Sequence, residues 1–212
     1  MQPMEFVDHF REQGASAILR TKFEDAVAPA MEAAVRGGFR IVEFTLNTPN
    51  ALAHIERFSR QEDLVVGAGT VLTVDEARSA IRAGAKFLVS PVVDEQVIEE
   101  AGVAGVAVMP GTHTPTEMLR AHRAGAPLQK LFPAPGSGPD YVRACLGPLP
   151  FLRIVPTSGV DGSNVGQFLA AGSWAVGFVA SLFVAADLEA GRFDRIERRA
   201  VELLAAVQAA RP

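Results

Sequence analysis

One pattern runs through the whole chain: short apolar runs alternate with amphipathic, alanine-rich segments, eight times over. The amphipathic segments carry apolar residues at spacings of three and four, which is typical of helices that cover a sheet. The apolar runs are almost continuously hydrophobic, and such runs form parallel strands that are buried on both faces. We predict strands at Ala17–Leu19, Ile41–Leu46, Leu64–Val66, Phe87–Val89, Val103–Met109, Leu128–Phe132, Phe151–Val155 and Trp174–Val179.

Repeated strand and helix units of roughly 20 to 25 residues predict a compact (β/α)8 TIM barrel. The chain carries no linker, charge run or low-complexity segment, so we expect a single domain over residues 1–212. Met1–Gln13 is predicted to form an extra N-terminal helix. The other predicted helices are Phe23–Arg36, Asn50–Arg60, Val74–Ala83, Glu95–Ala101, Pro115–Ala124, Asp140–Leu146, Ser163–Ala171 and Arg192–Ala210.

The positions of several glycines agree with this repeat. Gly37–Gly38, Gly84, Gly125 and Gly172 stand where predicted helices end, and glycine there can adopt the left-handed conformation of a C-cap. An open doubly wound sheet is the structural alternative. The first strand-to-helix turn, Arg20–Phe23, lacks the glycine fingerprint of dinucleotide-binding sheets, which favours the barrel.

Composition narrows the class of partner. The 212 residues are 49% hydrophobic and carry a formal net charge of −4, which gives no reason to expect nucleic acid or a membrane surface. We expect no signal peptide, and no run approaches the roughly 18 apolar residues of a membrane span. Cys145 is the only cysteine, which is compatible with a cytoplasmic location. The four histidines show no HxH or HExxH spacing, so we expect no metal site.

A single lysine, Lys130, lies in the apolar run Pro127–Pro133. It is one of three lysines against seventeen arginines. Burial among apolar side chains would lower its pKa, and a neutral amine can attack a carbonyl to form a Schiff base. Arginine cannot do this, because its guanidinium stays protonated. The alternative is a lysine whose ammonium group reaches solvent from the end of a strand.

A glutamate stands in the second predicted strand. By two-residue alternation Glu43 and Thr45 share one face of that strand, with Val42, Phe44 and Leu46 on the other. Desolvation would raise the pKa of Glu43 and suit it to donate and accept protons, with Lys130 as its candidate partner. The alternative is that the two residues form only a buried structural pair.

Small polar groups and rigid turns follow the other strands, at the edge where the chemistry of such barrels lies. Strand one ends in Arg20. Later strands end in Gly69–Thr70, Ser90–Pro91, Pro110–Thr112, Thr157–Gly159 and Val179–Ser181. The loops after strands seven and eight are the usual phosphate-binding place, where backbone N–H groups and a helix N-terminus meet an anion.

Together these residues resemble the 2-keto-3-deoxy-6-phosphogluconate (KDPG) aldolases, a family that includes 4-hydroxy-2-oxoglutarate and 6-phosphogalactonate aldolases. The resemblance rests on Glu43 in Val-Glu-Phe-Thr-Leu, Gly67–Leu72, Ser90–Pro91, Pro110–Gly111, Lys130 in Gln-Lys-Leu-Phe-Pro, and Pro156–Val160. It implies a class I aldolase without metal or cofactor, acting on a small 2-keto acid and releasing pyruvate, usually as a homotrimer.

The resemblance also implies residue roles. Lys130 would form the Schiff base with the keto carbon, and Glu43 would shuttle protons through water. Thr70 and Pro91 would line the pyruvyl end of the site, and Phe132 would pack beside the lysine. Thr157, Ser158, Gly159 and Ser181 would bind the far end of the substrate.

Two departures from the family pattern bear on the substrate. Many relatives carry an arginine four residues after the glutamate for the substrate carboxylate, but this chain has Asn47. Arg20 is the candidate replacement, because a guanidinium can hold a carboxylate bidentately. Ile18-Leu19-Arg20 also matches the 6-phosphogalactonate branch. At the phosphate end, Ser158–Gly159 and Val179–Ser181 stand where relatives have more glycine.

The sequence leaves two alternatives to an aldolase: a phosphosugar epimerase of similar fold, or a binding protein that has lost the activity. An epimerase would need paired acids or metal ligands at strand ends, and only Glu43 stands in such a place. A binding protein would gain nothing from Lys130 and Glu43 in apolar strands, where unpaired charges are costly.

Overall fold

A computed structural model describes residues 1–135 and 137–211, and it contains eight parallel strands. The sheet order is β7-β6-β5-β4-β3-β2-β1-β8, and a parallel bridge between Thr157 and Gly177 joins the two remaining edges. The predicted (β/α)8 barrel is therefore confirmed. The strands are β1 Ala15–Leu19, β2 Ile41–Thr45, β3 Val65–Gly69, β4 Phe87–Ser90, β5 Ala107–Thr112, β6 Gln129–Leu131, β7 Ile154–Pro156 and β8 Val176–Phe178.

Helices follow the strands around the outside of the barrel. They are α1 Pro3–Gln13, α2 Val27–Arg36, α3 Ala51–Phe58, α4 Val74–Arg82, α5 Glu95–Val103, α6 Pro115–Arg123, α7 Gly138–Leu146, α8 Val165–Ala170, α9 Ala185–Glu189 and α10 Phe193–Ala209. No helix of the described residues is long and apolar enough to span a membrane. The prediction of one domain over residues 1–212 includes Gly136 and Pro212, which lie outside the described residues.

The predicted N-terminal helix exists and covers the N-terminal end of the barrel. Its buried side chains, Phe6, Val7 and Phe10, join the cluster of inward-facing strand residues. The ring of Phe6 stacks on Phe87 with centroids 4.6 Å apart, and Trp174 Nε1 donates a hydrogen bond to the Val7 carbonyl at 2.9 Å. Helix α1 therefore fills one mouth of the barrel with apolar groups, and the C-terminal ends of the strands remain for a site.

Strand alternation separates the interior from the helical layer. Inward residues such as Ile41, Val89 and Leu128 belong to the cluster that contains α1. Outward residues such as Val42 and Leu131 pack against the surrounding helices in a second cluster. This alternation decides which face each polar residue occupies, and so which of them enter the barrel.

Several predicted boundaries are wrong, each for a local reason. The run Val103–Met109 is not all strand: Val103 ends α5, is 82% exposed, and β5 begins at Ala107. Gly105 breaks the run with a φ of +67°, a conformation that glycine adopts without steric cost. The helix predicted from Phe23 begins at Val27, after a 3-10 turn at Glu24–Ala26, and α9 was not predicted at all. The helix-ending glycines are confirmed at Gly84 and Gly125, with φ of +102° and +100°.

Candidate active site

Lys130 is the middle residue of β6 and faces the interior of the barrel. It lies between Gly111 of β5 and Val155 of β7 in the sheet, on the same face as Leu128. Its side chain is almost fully enclosed, since the residue is 3% exposed. Burial lowers the pKa of Lys130, nearby Glu43 opposes this shift, and Arg20 adds to it. The predicted burial of Lys130 is confirmed, and its ammonium group does not reach solvent.

Glu43 is the middle residue of β2 and is fully buried. Burial raises the pKa of its carboxyl group, while the positive charges of Lys130 and Arg20 oppose the shift. Neither carboxylate oxygen accepts a hydrogen bond from a described residue. Gly69 makes room for this carboxylate, because a Cβ at that position would lie 1.9 Å from Glu43 Oε1.

The two buried groups influence each other without direct contact. Each changes the pKa of the other through its charge, yet Lys130 Nζ does not donate to either Glu43 oxygen. A structural ion pair would be expected to close up into hydrogen-bonding contact. The separation instead leaves the carboxyl group able to exchange protons with a molecule bound to the lysine.

Arg20 connects this pair to the outer part of the mouth. Its Nη2 donates a hydrogen bond to Thr70 Oγ1 at 3.1 Å, and Thr70 itself has a φ of +58°. Thr48 Oγ1 accepts from the Thr21 N–H at 3.3 Å and donates to the Leu19 carbonyl at 3.4 Å, so it holds the chain on both sides of Arg20. Sequence reasoning missed this role of Thr48, because a threonine in a loop gives no distinctive signal.

Asn47 shares a cavity of about 500 Å³ with Arg20. The cavity combines polar groups at the ends of β1 and β2 with apolar groups that follow β8. It is lined by Arg20, Thr21, Lys22, Phe23, Asn47, Val179, Ala180, Phe183, Ala185 and Leu188. Phe183 and Leu188 are both 4% exposed, so this part of the site has an apolar wall that the sequence pattern did not predict.

Pro91 and Phe132 line a second, smaller cavity of about 250 Å³, together with Gly111. The Phe132 ring packs beside the lysine, with its centroid 4.8 Å from Lys130 Nζ. A Cβ at Gly111 would lie 2.2 Å from the Pro91 carbonyl oxygen, so only glycine lets β5 pass this turn. Thr112 Oγ1 donates to the Lys130 carbonyl at 2.9 Å and fixes the backbone of the lysine.

The loops after β7 and β8 are tied to each other. Ser181 Oγ donates to the Val160 carbonyl at 2.7 Å, so this hydroxyl proton is already engaged. Ser158 and Gly159 follow in succession with φ of +67° and +80°, and their N–H groups donate to no described residue. Thr157 is 1% exposed, and its hydroxyl has no partner among the described residues.

Residues 1–135 and 137–211 contain no cluster of three or more His, Cys, Asp or Glu side chains that could hold a metal ion. The C-terminal end of the barrel contains the buried amine of Lys130, with a lowered pKa, and the buried carboxyl group of Glu43, with a raised pKa. In a (β/α)8 barrel these features are typical of an enzyme that acts on a carbonyl compound through an amine nucleophile, as class I lyases do.

Comparison with known proteins identifies the family. The sequence profile described as KDPG and KHG aldolase matches residues 7–199, and the chain belongs to this family. The KHG/KDPG aldolase of Escherichia coli is 35% identical over 194 residues, covering 87% of each chain.

Solved structures agree with this assignment. A structure described as native KDPGal is 30% identical, with a TM-score of 0.84, and the match covers 92% of this chain and 95% of that one. The 2-keto-3-deoxy-6-phosphogluconate aldolase of Zymomonas mobilis, solved with 3-phosphoglycerate, is 27% identical with a TM-score of 0.83, covering 95% and 96%.

Proposed function

We propose that this enzyme cleaves a 2-keto-3-deoxy-6-phospho-sugar acid, with KDPG as the first candidate, or 4-hydroxy-2-oxoglutarate. The products are pyruvate and an aldehyde. The observation that carries this proposal is the pair of enclosed groups, Lys130 and Glu43, whose pKa values shift in the directions that Schiff-base chemistry needs.

The chemistry begins at Lys130. Its neutral Nζ attacks the C2 keto carbon, and a proton passes from the nitrogen to the C2 oxygen to give a carbinolamine. Protonation of the C2 hydroxyl then expels water and leaves an iminium ion. Removal of the C4 hydroxyl proton then breaks the C3–C4 bond. The electron pair of that bond passes into the iminium, so the aldehyde leaves and an enamine remains on the lysine.

Glu43 is the group that moves protons in these steps. Its raised pKa lets it supply a proton when water leaves the carbinolamine and accept one from the C4 hydroxyl, through an intervening water. Glu43 then gives the proton it took from the C4 hydroxyl to C3 of the enamine, which restores an iminium. Addition of water to this iminium releases pyruvate and neutral Lys130, and the proton set free in that step returns to Glu43. A buried carboxyl group that is not held in a hydrogen-bonded ion pair can serve as acid and base in turn.

The remaining site residues hold the two ends of the substrate. Thr70, Pro91 and Phe132 line the pyruvyl end, and Arg20 binds the carboxylate beside Asn47. The N–H groups of Ser158 and Gly159, which donate to no described residue, support an anion at the far end, with Thr157 and Ser181 shaping their loops.

A second candidate substrate differs from KDPG only in its configuration at C4. The pairing of Arg20 with Asn47 resembles the 6-phosphogalactonate branch, and the KDPGal structure covers almost the whole chain. 2-Keto-3-deoxy-6-phosphogalactonate is therefore the alternative. By the same resemblance we propose a cytoplasmic homotrimer that serves carbohydrate breakdown of the Entner–Doudoroff type.

A pyruvate-release assay tests the proposal. KDPG, 4-hydroxy-2-oxoglutarate and 2-keto-3-deoxy-6-phosphogalactonate are supplied separately, and pyruvate is measured through lactate dehydrogenase. We expect cleavage of at least one of them by wild type, its loss in Lys130→Arg, and full activity in Lys86→Arg, a control at an exposed lysine. Pyruvate release by folded Lys130→Arg would exclude the proposed mechanism, and an epimerase or binding protein would release none with any substrate.

A further inference from the structure

The outer wall of the larger cavity depends on a very short helix. Helix α9 has five residues, and its Ala185 and Leu188 line the cavity that begins at Arg20. A helix of this length has no stability of its own in water, so its position must come from tertiary contacts. Only two of its residues, Asp187 and Leu188, are buried.

Asp187 joins α9 to the segment that follows it through three arginines. Its Oδ1 accepts from Arg192 Nε at 2.8 Å and lies 3.5 Å from Arg195 Nη1, while its Oδ2 accepts from Arg199 Nη2 at 2.7 Å. The residue is 3% exposed. Hydrogen bonds from Arg199 and Arg192 lower the pKa of Asp187 to about 2, so the carboxylate is charged at neutral pH.

Arg199 extends the same contact to the loop after β8. Its second nitrogen, Nη1, donates to the Leu182 carbonyl at 2.6 Å. Leu182 directly precedes Phe183, the other buried apolar residue of the cavity wall. One guanidinium therefore fixes the loop and, through Asp187, the helix. Phe183 and Leu188, the two large apolar residues of this wall, thus depend on the same ion pair.

We propose that Asp187, together with Arg199, is a positioning residue that sets the shape of the acceptor half of the active site. It touches no reacting atom. It holds α9 and the β8 loop so that the cavity beyond Arg20 fits the aldehyde portion of the substrate. Pro91 and Phe132 line the other cavity. Arg20 lies at the boundary between the two halves and is held by Thr70 rather than by α9, so the pyruvyl half does not depend on Asp187. This inference rests on the proposed aldolase function.

The condensation reaction tests the pyruvyl and aldehyde halves of the active site separately, because the concentrations of pyruvate and of the aldehyde can be varied independently. We expect Asp187→Asn to raise the KM for the aldehyde, glyceraldehyde 3-phosphate or glyoxylate, by about tenfold or more, as misplaced binding groups do. The KM for pyruvate and the rate of borohydride trapping with pyruvate should change by less than about twofold, since that half keeps its geometry. Arg199→Gln should show the same split, and Arg199→Lys should recover part of the affinity for the aldehyde.

Asp194→Asn is the matched control. It removes an exposed ion pair with Arg198 on the same helix, at 3.0 Å, and should leave both KM values unchanged. An unchanged aldehyde KM in folded Asp187→Asn or folded Arg199→Gln would overturn the inference, as would equal losses in both halves. If Asp187→Asn does not fold, the KM values of Arg199→Gln and Arg199→Lys test the inference in its place. Absence of pyruvate trapping in wild type would instead refute the proposed function itself.

Discussion

A single carbon added at Gly69 would collide with the carboxylate of Glu43, the proposed acid/base group. A Cβ there would lie 1.9 Å from Glu43 Oε1, 2.7 Å from Cδ and 3.1 Å from Cγ. Since real Cβ atoms essentially never come within 3.0 Å of another heavy atom, Oε1 would have to move by at least 1.1 Å. A displacement of about 1 Å at a catalytic group can cost about 100-fold in rate, so Gly69→Ala should lower kcat by about that factor.

The effect on stability should be much smaller. Overpacking a buried site typically costs about 1 to 3 kcal/mol, which a barrel of this size can tolerate. We therefore expect Gly69→Ala to remain folded by circular dichroism, with a reduced melting temperature. Pyruvate release measures kcat, and borohydride trapping with pyruvate reports whether Lys130 still forms its adduct.

Gly102→Ala is the control for the glycine substitution itself. Gly102 lies in α5, and a Cβ there would meet nothing within 4 Å. Alanine is favoured over glycine in a helix by up to about 1 kcal/mol, so this variant should keep full activity and at least the stability of wild type. A wild-type kcat in Gly69→Ala would contradict the proposed role of Glu43, because it would mean that the position of its carboxylate does not matter for turnover.

Four further predictions concern the pair of buried groups and the two ends of the substrate. Glu43→Gln should lower kcat by about 100- to 10,000-fold, the usual cost of removing an acid/base group, while borohydride trapping still occurs slowly. Burial raises the pKa of Glu43 above its ordinary value of 4.5, so the folded protein keeps this proton at pH values where the unfolded chain has lost it. The stability of wild type should therefore fall as the pH rises from 4.5 through the raised pKa. Over that range the melting temperature of Glu43→Gln should exceed that of wild type by a growing margin. Arg20→Ala should raise the KM for every 2-keto acid by about 10- to 150-fold, the worth of a charge-assisted hydrogen bond; an effect confined to phosphorylated substrates would assign Arg20 to the far end. The double variant Ser158→Gly, Val179→Gly should increase the kcat/KM preference for KDPG over 4-hydroxy-2-oxoglutarate, and no gain would mean that these positions do not contact phosphate.

The barrel and its central pair could be predicted because each leaves a strong trace in the sequence. Parallel strands buried on both faces require continuous apolar runs, and Lys130 and Glu43 stand out in such runs. Two-residue alternation then assigns them to the inward face. Their shifted pKa values follow from burial, which the same pattern predicts.

The outer parts of the site could not be predicted in the same way. Leu182 to Leu188 show no helical or strand period, so neither α9 nor the wall made by Phe183 and Leu188 was foreseen. Ser181 was expected to offer its hydroxyl to an anion, but that hydroxyl donates to the Val160 carbonyl. Such choices depend on how two loops meet in space, and neither loop carries that information alone.

The proposed mechanism depends on Schiff-base formation at Lys130, and reductive trapping detects that step. Sodium borohydride reduces a pyruvate imine to a stable secondary amine, which peptide mapping by mass spectrometry assigns to one lysine. Incubation with pyruvate and borohydride should inactivate the enzyme and modify Lys130 alone, because Lys22 and Lys86 are exposed on the surface and lie outside the barrel interior. A reduced adduct on Lys22 or Lys86 alone, or full activity with no adduct, would contradict the assignment of Lys130 as the Schiff-base lysine.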